Sequence, residues 1–167
     1  GIVLNHADGL LKLNGTGTVQ AAEITAASNT GKGVQVVNSS TISSLTVSAD
    51  AKLNIAGGET LSGSTEIAAN KTLSLIGTGT FGSALTLEGT LEAGANLKVS
   101  GLISVGNNST ISIPDANTTL TYSGGDLKVE THILSLAGSG TFSNNANSPF
   151  VVGGEGSGLY ITGNGTV

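Results

Sequence analysis

Apolar and polar residues alternate through most of the chain. Pairs one residue apart recur at Val34/Val36, Leu45/Val47, Leu53/Ile55, Leu73/Leu75, Leu85/Leu87, Leu97/Val99, Ile111/Ile113, Leu120/Tyr122, Leu127/Val129, Leu134/Leu136 and Leu159/Ile161. A period of two puts both members of a pair on the same side of an extended strand. Short runs of Gly, Asn, Asp and Ser separate the pairs and supply turns. No ten-residue window carries apolar residues at i, i+3, i+4 and i+7 free of Gly or β-branched crowding. The pattern therefore predicts an all-β protein of many short strands and no long helix.

The alternation is itself repeated. Leu11–Val19 reads LKLNGTGTV, Leu73–Phe81 reads LSLIGTGTF and Leu134–Phe142 reads LSLAGSGTF, at intervals of 62 and 61 residues. A shorter unit, a polar turn followed by an apolar pair, recurs as ADAKLNI, ANKTLSL, AGANLKV, NNSTISI and ANTTLTY. Its first apolar residues are Leu53, Leu73, Leu97, Ile111 and Leu120, with gaps of 20, 24, 14 and 9. A gap near 20 suits one coil of a three-sided β-helix, and shorter gaps are expected where the unit marks different faces of a coil. Three coils per long repeat predict roughly seven to eight coils in all. At the spacing of paired strands they make a rod on the order of 35 Å long.

The expected fold is thus a parallel β-helix (β-solenoid), a single segment over residues 1–167 of a longer repetitive protein. The alternative is an antiparallel β-sandwich. Only Asp8-Gly9, Asn14-Gly15 and Asn164-Gly165 offer the sequence of a tight hairpin turn, and a sandwich gives no reason for the long echo.

Composition narrows the function. Hydrophobic residues are 38% of the chain, enough for a core, but aromatics are 3%, so the interior is aliphatic. Charged residues are 10%, well below the roughly 25% usual for a soluble domain. The net charge of −5 with six Lys and no Arg argues against nucleic acid and against docking on anionic lipid. Without Cys there are neither disulfides nor thiolate metal sites. No apolar run is long enough to span a bilayer, so no direct membrane insertion is expected. The opening GIVLNHADG lacks the basic flank of a signal peptide, which predicts an excised piece whose targeting signals lie elsewhere.

Units such as ANTTLTY, NNSTISI and ANKTLSL, joined by GTGTF and GSGTF, resemble the passenger domains of Gram-negative autotransporter adhesins, in particular the large rickettsial surface antigens. The resemblance covers roughly Leu10 to Phe142. It implies a right-handed parallel β-helix at the bacterial cell surface, extracellular and anchored to the outer membrane through a region not in this chain. It implies a non-enzymatic role in attachment and virulence.

No constellation commits the chain to a reaction. His6 and His132 lack a nearby His or Cys partner, so no metal site is expected. Glu88 and Glu92, with Glu59 and Glu66 one coil earlier, are the acids a polysaccharide-degrading β-helix would need, but Arg and Trp are absent, and they read as solvated charge. Serines lack a nucleophile loop or elbow. Gly153–Tyr160 resembles half of a calcium-binding nonapeptide, with Gly158 where an Asp belongs. The G-x-G pairs Gly15/Gly17, Gly77/Gly79 and Gly138/Gly140 precede no helix and read as corners. The pairs Thr16/Thr18 and Thr78/Thr80 recur too rarely for an ice-binding array. The sequons at Asn70, Asn117 and Asn164 are what this composition produces by chance.

The expected function is a non-enzymatic surface stalk or adhesin that needs no cofactor. Its partner is a protein or glycan of a host or neighbouring cell, or another copy joined end to end or laterally. The alternatives are a self-assembling extracellular filament or matrix subunit, a polysaccharide-degrading enzyme and, more distantly, a pore-forming toxin passenger. Loops that interrupt the period, Glu23–Lys32 and Ser143–Ser148 with the following Pro149 and Phe150-Val151-Val152, are the expected recognition elements.

Overall fold

The alternating segments form 21 short strands and no helix in the computed structural model, which describes residues 1–167. They wind into a three-sided parallel β-solenoid. The first face holds β1 (Ile2–Leu4), β4 (Ala22–Ile24), β11 (Ala84–Leu87), β14 (Ile103–Val105), β17 (Leu127–Val129) and β20 (Phe150–Val152). The second holds β2 (Leu10–Leu13), β5 (Gly33–Val36), β7 (Ala51–Ile55), β9 (Thr72–Leu75), β12 (Thr90–Ala93), β15 (Ser109–Ile113), β18 (Ile133–Gly138) and β21 (Gly158–Thr162). The third holds β3 (Thr18–Val19), β10 (Thr80–Phe81), β13 (Leu97–Val99), β16 (Thr119–Tyr122) and β19 (Thr141–Ser143). Two long strands, β6 (Ser40–Val47) and β8 (Thr60–Ile67), bend through a corner, their first halves in the third face and their second halves in the first.

Every strand pairs in parallel with its equivalent one coil away. On the second face Leu11 pairs with Val34, Val34 with Leu53, Leu73 with Leu91, Leu91 with Ile111 and Leu134 with Leu159. A coil takes 18 residues at its shortest, from Leu73 to Leu91, and 25 at its longest, from Leu134 to Leu159. About seven turns result. The sandwich is set aside, because Asp8-Gly9, Asn14-Gly15 and Asn164-Gly165 turn corners instead of closing hairpins.

The long echo is three coils, as the spacing predicts, with one refinement. Leu73 pairs with Ala51 rather than continuing the column of Leu11, Val34 and Leu53, which passes to Leu75. The copies have slipped by two residues. A slip of two, unlike a slip of one, keeps every side chain on its own side of the sheet, so the slip costs the core nothing. A fourth copy that the three-way comparison overlooks, Leu159–Val167 (LYITGNGTV), lies one coil beyond the third and pairs with it in register.

Inside, 32 buried apolar residues form one continuous core. Its columns run along the rod, for example Leu73, Leu91, Ile111 and Leu136 on the second face. Three aromatics group near one end, Tyr122 and Phe142 buried and Phe150 partly so: the rings of Tyr122 and Phe142 lie 6.0 Å apart, and those of Phe142 and Phe150 5.0 Å. Corners are made by close backbone approach. At Gly63 the chain bends with φ +117°, and a Cβ there would lie 1.8 Å from the Ile42 carbonyl oxygen, so no other residue fits.

Candidate functional surface

The outward residues of each strand stack into columns, because the register that aligns core residues also aligns those between them. On the first face Glu23, Thr46, Glu66, Thr86, Ser104 and Lys128 follow one another. On the second, Thr72, Thr90, Thr110 and Ser135 form one column, beside Lys52, Ser74, Glu92 and Ser112. The third carries Thr60, Thr80, Lys98, Thr121 and Ser143. Of the Thr-x-Thr pairs and sequons named above, only Thr80 and Thr72 fall in these columns. Their signal is the polar residue between two apolar ones, read across coils, and that reading needs the register.

The surface carries little charge structure. No lysine comes within 4.0 Å of a carboxylate; the one contact of that kind is His6 Nδ1 to Asp8 Oδ2 at 3.9 Å. The same Nδ1 accepts a hydrogen bond from the Asp8 backbone N–H at 3.1 Å. Instead, carboxylates bind hydroxyls one coil away. Ser39 donates its N–H and Oγ to Glu59 Oε2 at 2.7 and 2.8 Å, Ser74 Oγ donates to Glu92 Oε1 at 2.8 Å, and Ser48 Oγ to Glu23 Oε1 at 3.1 Å.

The structure does not gather the four acids that the sequence brackets together. Glu59 lies in the turn before β8 and Glu66 on the first face; Glu88 follows β11 at a corner, and Glu92 faces outward on β12. Glu88 leans against Gly106 of the following coil, while Glu92 reaches back to Ser74 of the preceding one. His6 and His132 sit in turns near opposite ends of the rod. No cluster of three or more His or acidic residues is positioned to hold a metal ion. The three G-x-G pairs turn the corner from second to third face, as expected. A Cβ at Gly77 would meet the Ile55 carbonyl oxygen at 2.0 Å, and one at Gly140 would meet Ile113 Cγ2 at 2.2 Å.

Both irregular loops are tied down. In the first, Glu23 and Ile24 belong to β4, and the turn after them is held from both sides: Asn29 N–H donates to the Ala7 carbonyl at 2.8 Å and Ser28 N–H to that of Asp50 at 2.9 Å. In the second, Ser148 is buried, its Oγ accepts from Gly125 N–H at 3.2 Å, and Asn144 Nδ2 donates to its carbonyl at 2.9 Å. Phe150-Val151-Val152 is strand β20, so Phe150 and Val152 continue core columns.

The largest depression, an open groove of about 480 Å³, lies on the first face and had no sequence signal. Leu102, Ile103 and Val105 line its floor, with Asp126, Lys128 and Glu130 around it. It forms where a long coil overhangs a short one. A second groove of about 280 Å³ holds Asp50, Lys52 and Glu92 at the corner between first and second faces. The chain matches no family model, no curated protein and no solved structure.

Proposed function

We propose that this chain is a non-enzymatic segment of a bacterial cell-surface protein, an autotransporter-like stalk whose flanks adhere to proteins or glycans of host or neighbouring cells. The observation that carries this reading is the set of outward columns rich in Ser and Thr and interrupted by isolated charges, with Thr72, Thr90, Thr110 and Ser135 an unbroken run over four coils of the second face. A ladder of hydroxyls at a repeat of about 4.8 Å offers many weak, equivalent hydrogen bonds to an extended polar partner. Affinity then comes from their number and not from one pocket. The parallel solenoid holds the ladders rigid, because each strand between the end coils is bonded on both sides. With charged residues only 10% of the chain, the faces are weakly charged and hydroxyls are their main recognition groups. The likeness of the repeat units to autotransporter passengers supports the surface setting.

Beads coated with the chain test the reading on cultured cells and on arrayed glycans. Adhesion above an inert-protein control is expected, and it should fall several-fold when Thr86, Thr90 and Thr110 are changed together to Lys with the circular dichroism unchanged. Adhesion at control level would remove the adhesive part of the reading.

A further inference from the structure

We propose that the groove on the first face binds an extended peptide segment carrying a basic residue on either side of an aliphatic one. Such a segment is a protein partner within the adhesive reading, but the groove holds it whether or not the hydroxyl ladders adhere.

The groove is a local failure of strand pairing. β14 pairs with β11 at three positions, Leu85 with Ile103, Thr86 with Ser104 and Leu87 with Val105, across a coil of 18 residues. With β17 it keeps one pair, Ser104 with Lys128, across a coil of 24. The next joint, β17 with β20, again has three pairs. The opening therefore lies within the first face, with paired strands on both sides of it. Beneath it the Tyr122 hydroxyl accepts the Ile103 N–H at 3.3 Å, which ties the floor to the core.

Outward residues give the groove its chemistry. From β14 they are Leu102, Ser104 and Gly106, and from β17 Asp126, Lys128 and Glu130, all exposed. Leu102 is 47% exposed, and outside the two end coils only Val37 among large hydrophobics is as open to water. Val105 beside it is only partly buried. The Ser104–Lys128 pair sets Asp126 toward the Leu102 end of the groove and Glu130 toward the Gly106 end. A Cβ at Gly106 would lie 3.2 Å from Glu88 Cγ and 3.3 Å from its Oε1, so the Glu88 carboxylate leans over that end as well. Three carboxylates thus face one ammonium, and none of the four groups has an opposite charge within 4.0 Å. The groove is negative at both ends and apolar along its floor.

An extended peptide matches that pattern. Its residues i, i+2 and i+4 face one side, and i to i+4 spans about 13 Å, the span from Asp126 to Glu130 along their strand. Basic groups at i and i+4 reach Asp126 at one end and Glu130 with Glu88 at the other. The aliphatic residue between them covers Val105, and the methylene stem of the first basic residue covers Leu102. Lys128, with three N–H donors, takes backbone carbonyls of the segment. At about 480 Å³ the groove is within the size range of ligand sites.

Fluorescence anisotropy of the labelled peptide Lys-Thr-Leu-Thr-Lys, titrated with the purified chain at low salt, tests this. Saturable binding is expected, weakening as added salt screens the ion pairs. Glu-Thr-Leu-Thr-Glu should not bind, and Lys-Thr-Ser-Thr-Lys should bind several-fold more weakly. Asp126→Asn combined with Glu130→Gln should weaken binding about fivefold or more, and Leu102→Ser several-fold. All three side chains are exposed, so thermal melts of the variants should match the wild type. No saturable binding at millimolar chain would overturn the peptide site, as would equal binding by the acidic peptide or by these variants. A chitosan tetramer that displaces the peptide and binds more tightly would also overturn it, assigning the groove to a cationic sugar. The assay uses neither cells nor glycan arrays, so its failure leaves the adhesive reading standing, and failure of adhesion leaves the groove.

Discussion

Thr65 shows how strictly the interior is apolar. It sits in the core column of the first face between Leu45 and Leu85, is 3% exposed, and its Oγ1 has no hydrogen-bond partner. An unpaired buried hydroxyl costs about 1–3 kcal/mol. Thr65→Val keeps the β-branched shape and removes that cost, so a gain of about 1–2 kcal/mol is expected, seen as a higher urea midpoint with an unchanged m-value. Tyr122 is a second polar side chain within the core cluster, 1% exposed. Burial pushes its phenol above the ordinary 10.0; the Ile103 N–H, which donates to its oxygen at 3.3 Å, pulls the other way, and Asp126 adds to the rise. The unfolded phenol ionises first, so the contribution of Tyr122 is whole below its unfolded value and is lost as pH climbs through the folded one. The urea midpoint of the wild type should therefore fall more between about pH 9 and about pH 11 than that of Tyr122→Phe. At neutral pH the variant should be weaker by about 1 kcal/mol for the lost hydrogen bond.

At the scale of one element, the G-x-G-T corner separates two reasons for a glycine. At Gly140 a Cβ would press on Ile113 Cγ2 at 2.2 Å and the Thr118 carbonyl at 2.6 Å, so Gly140→Ala should cost about 1–3 kcal/mol. At Gly17, the same place in the same motif, a Cβ meets nothing, and Gly17→Ala should shift stability by no more than about 0.5 kcal/mol. Thermal melts of the two variants check the contrast. The motif alone cannot distinguish them, because the clash belongs to the neighbouring coil. The same holds for β6 and β8. Only the fold shows each of them as one strand bending through a corner, β8 doing so at Gly63.

For the whole molecule, eight second-face strands stacked at about 4.8 Å give a rod about 34 Å long. Each coil touches only its neighbours, so stability is a sum of joints and the end coils, with one joint each, open first. Amide exchange followed by mass spectrometry should be slowest in β7, β9 and β12 and fastest in β1–β3 and β21. Equal protection throughout would contradict that independence of coils.

The alternation at Leu73/Leu75 or Ile111/Ile113 was sufficient to predict strands, since a period of two has only one local solution. The 61–62 residue echo was sufficient to predict coils, since repeated units unable to bury a face alone must stack. The gaps of 14 and 9 are changes of face, and so is that of 24: Leu97 and Leu120 lie on the third face, Leu73 and Ile111 on the second. Register was decided only by the tertiary structure. Which coil lies on which, by how many residues the copies slip, and hence which hydroxyls form columns, where a groove opens beside Lys128 and which glycines are crowded, all depend on coil lengths between 18 and 25. Those lengths come from turns such as Thr25–Lys32, whose polar residues carry no periodic signal. Their geometry is set by hydrogen bonds to neighbouring coils, like that of Asn29 to Ala7, that exist only once the chain has wound.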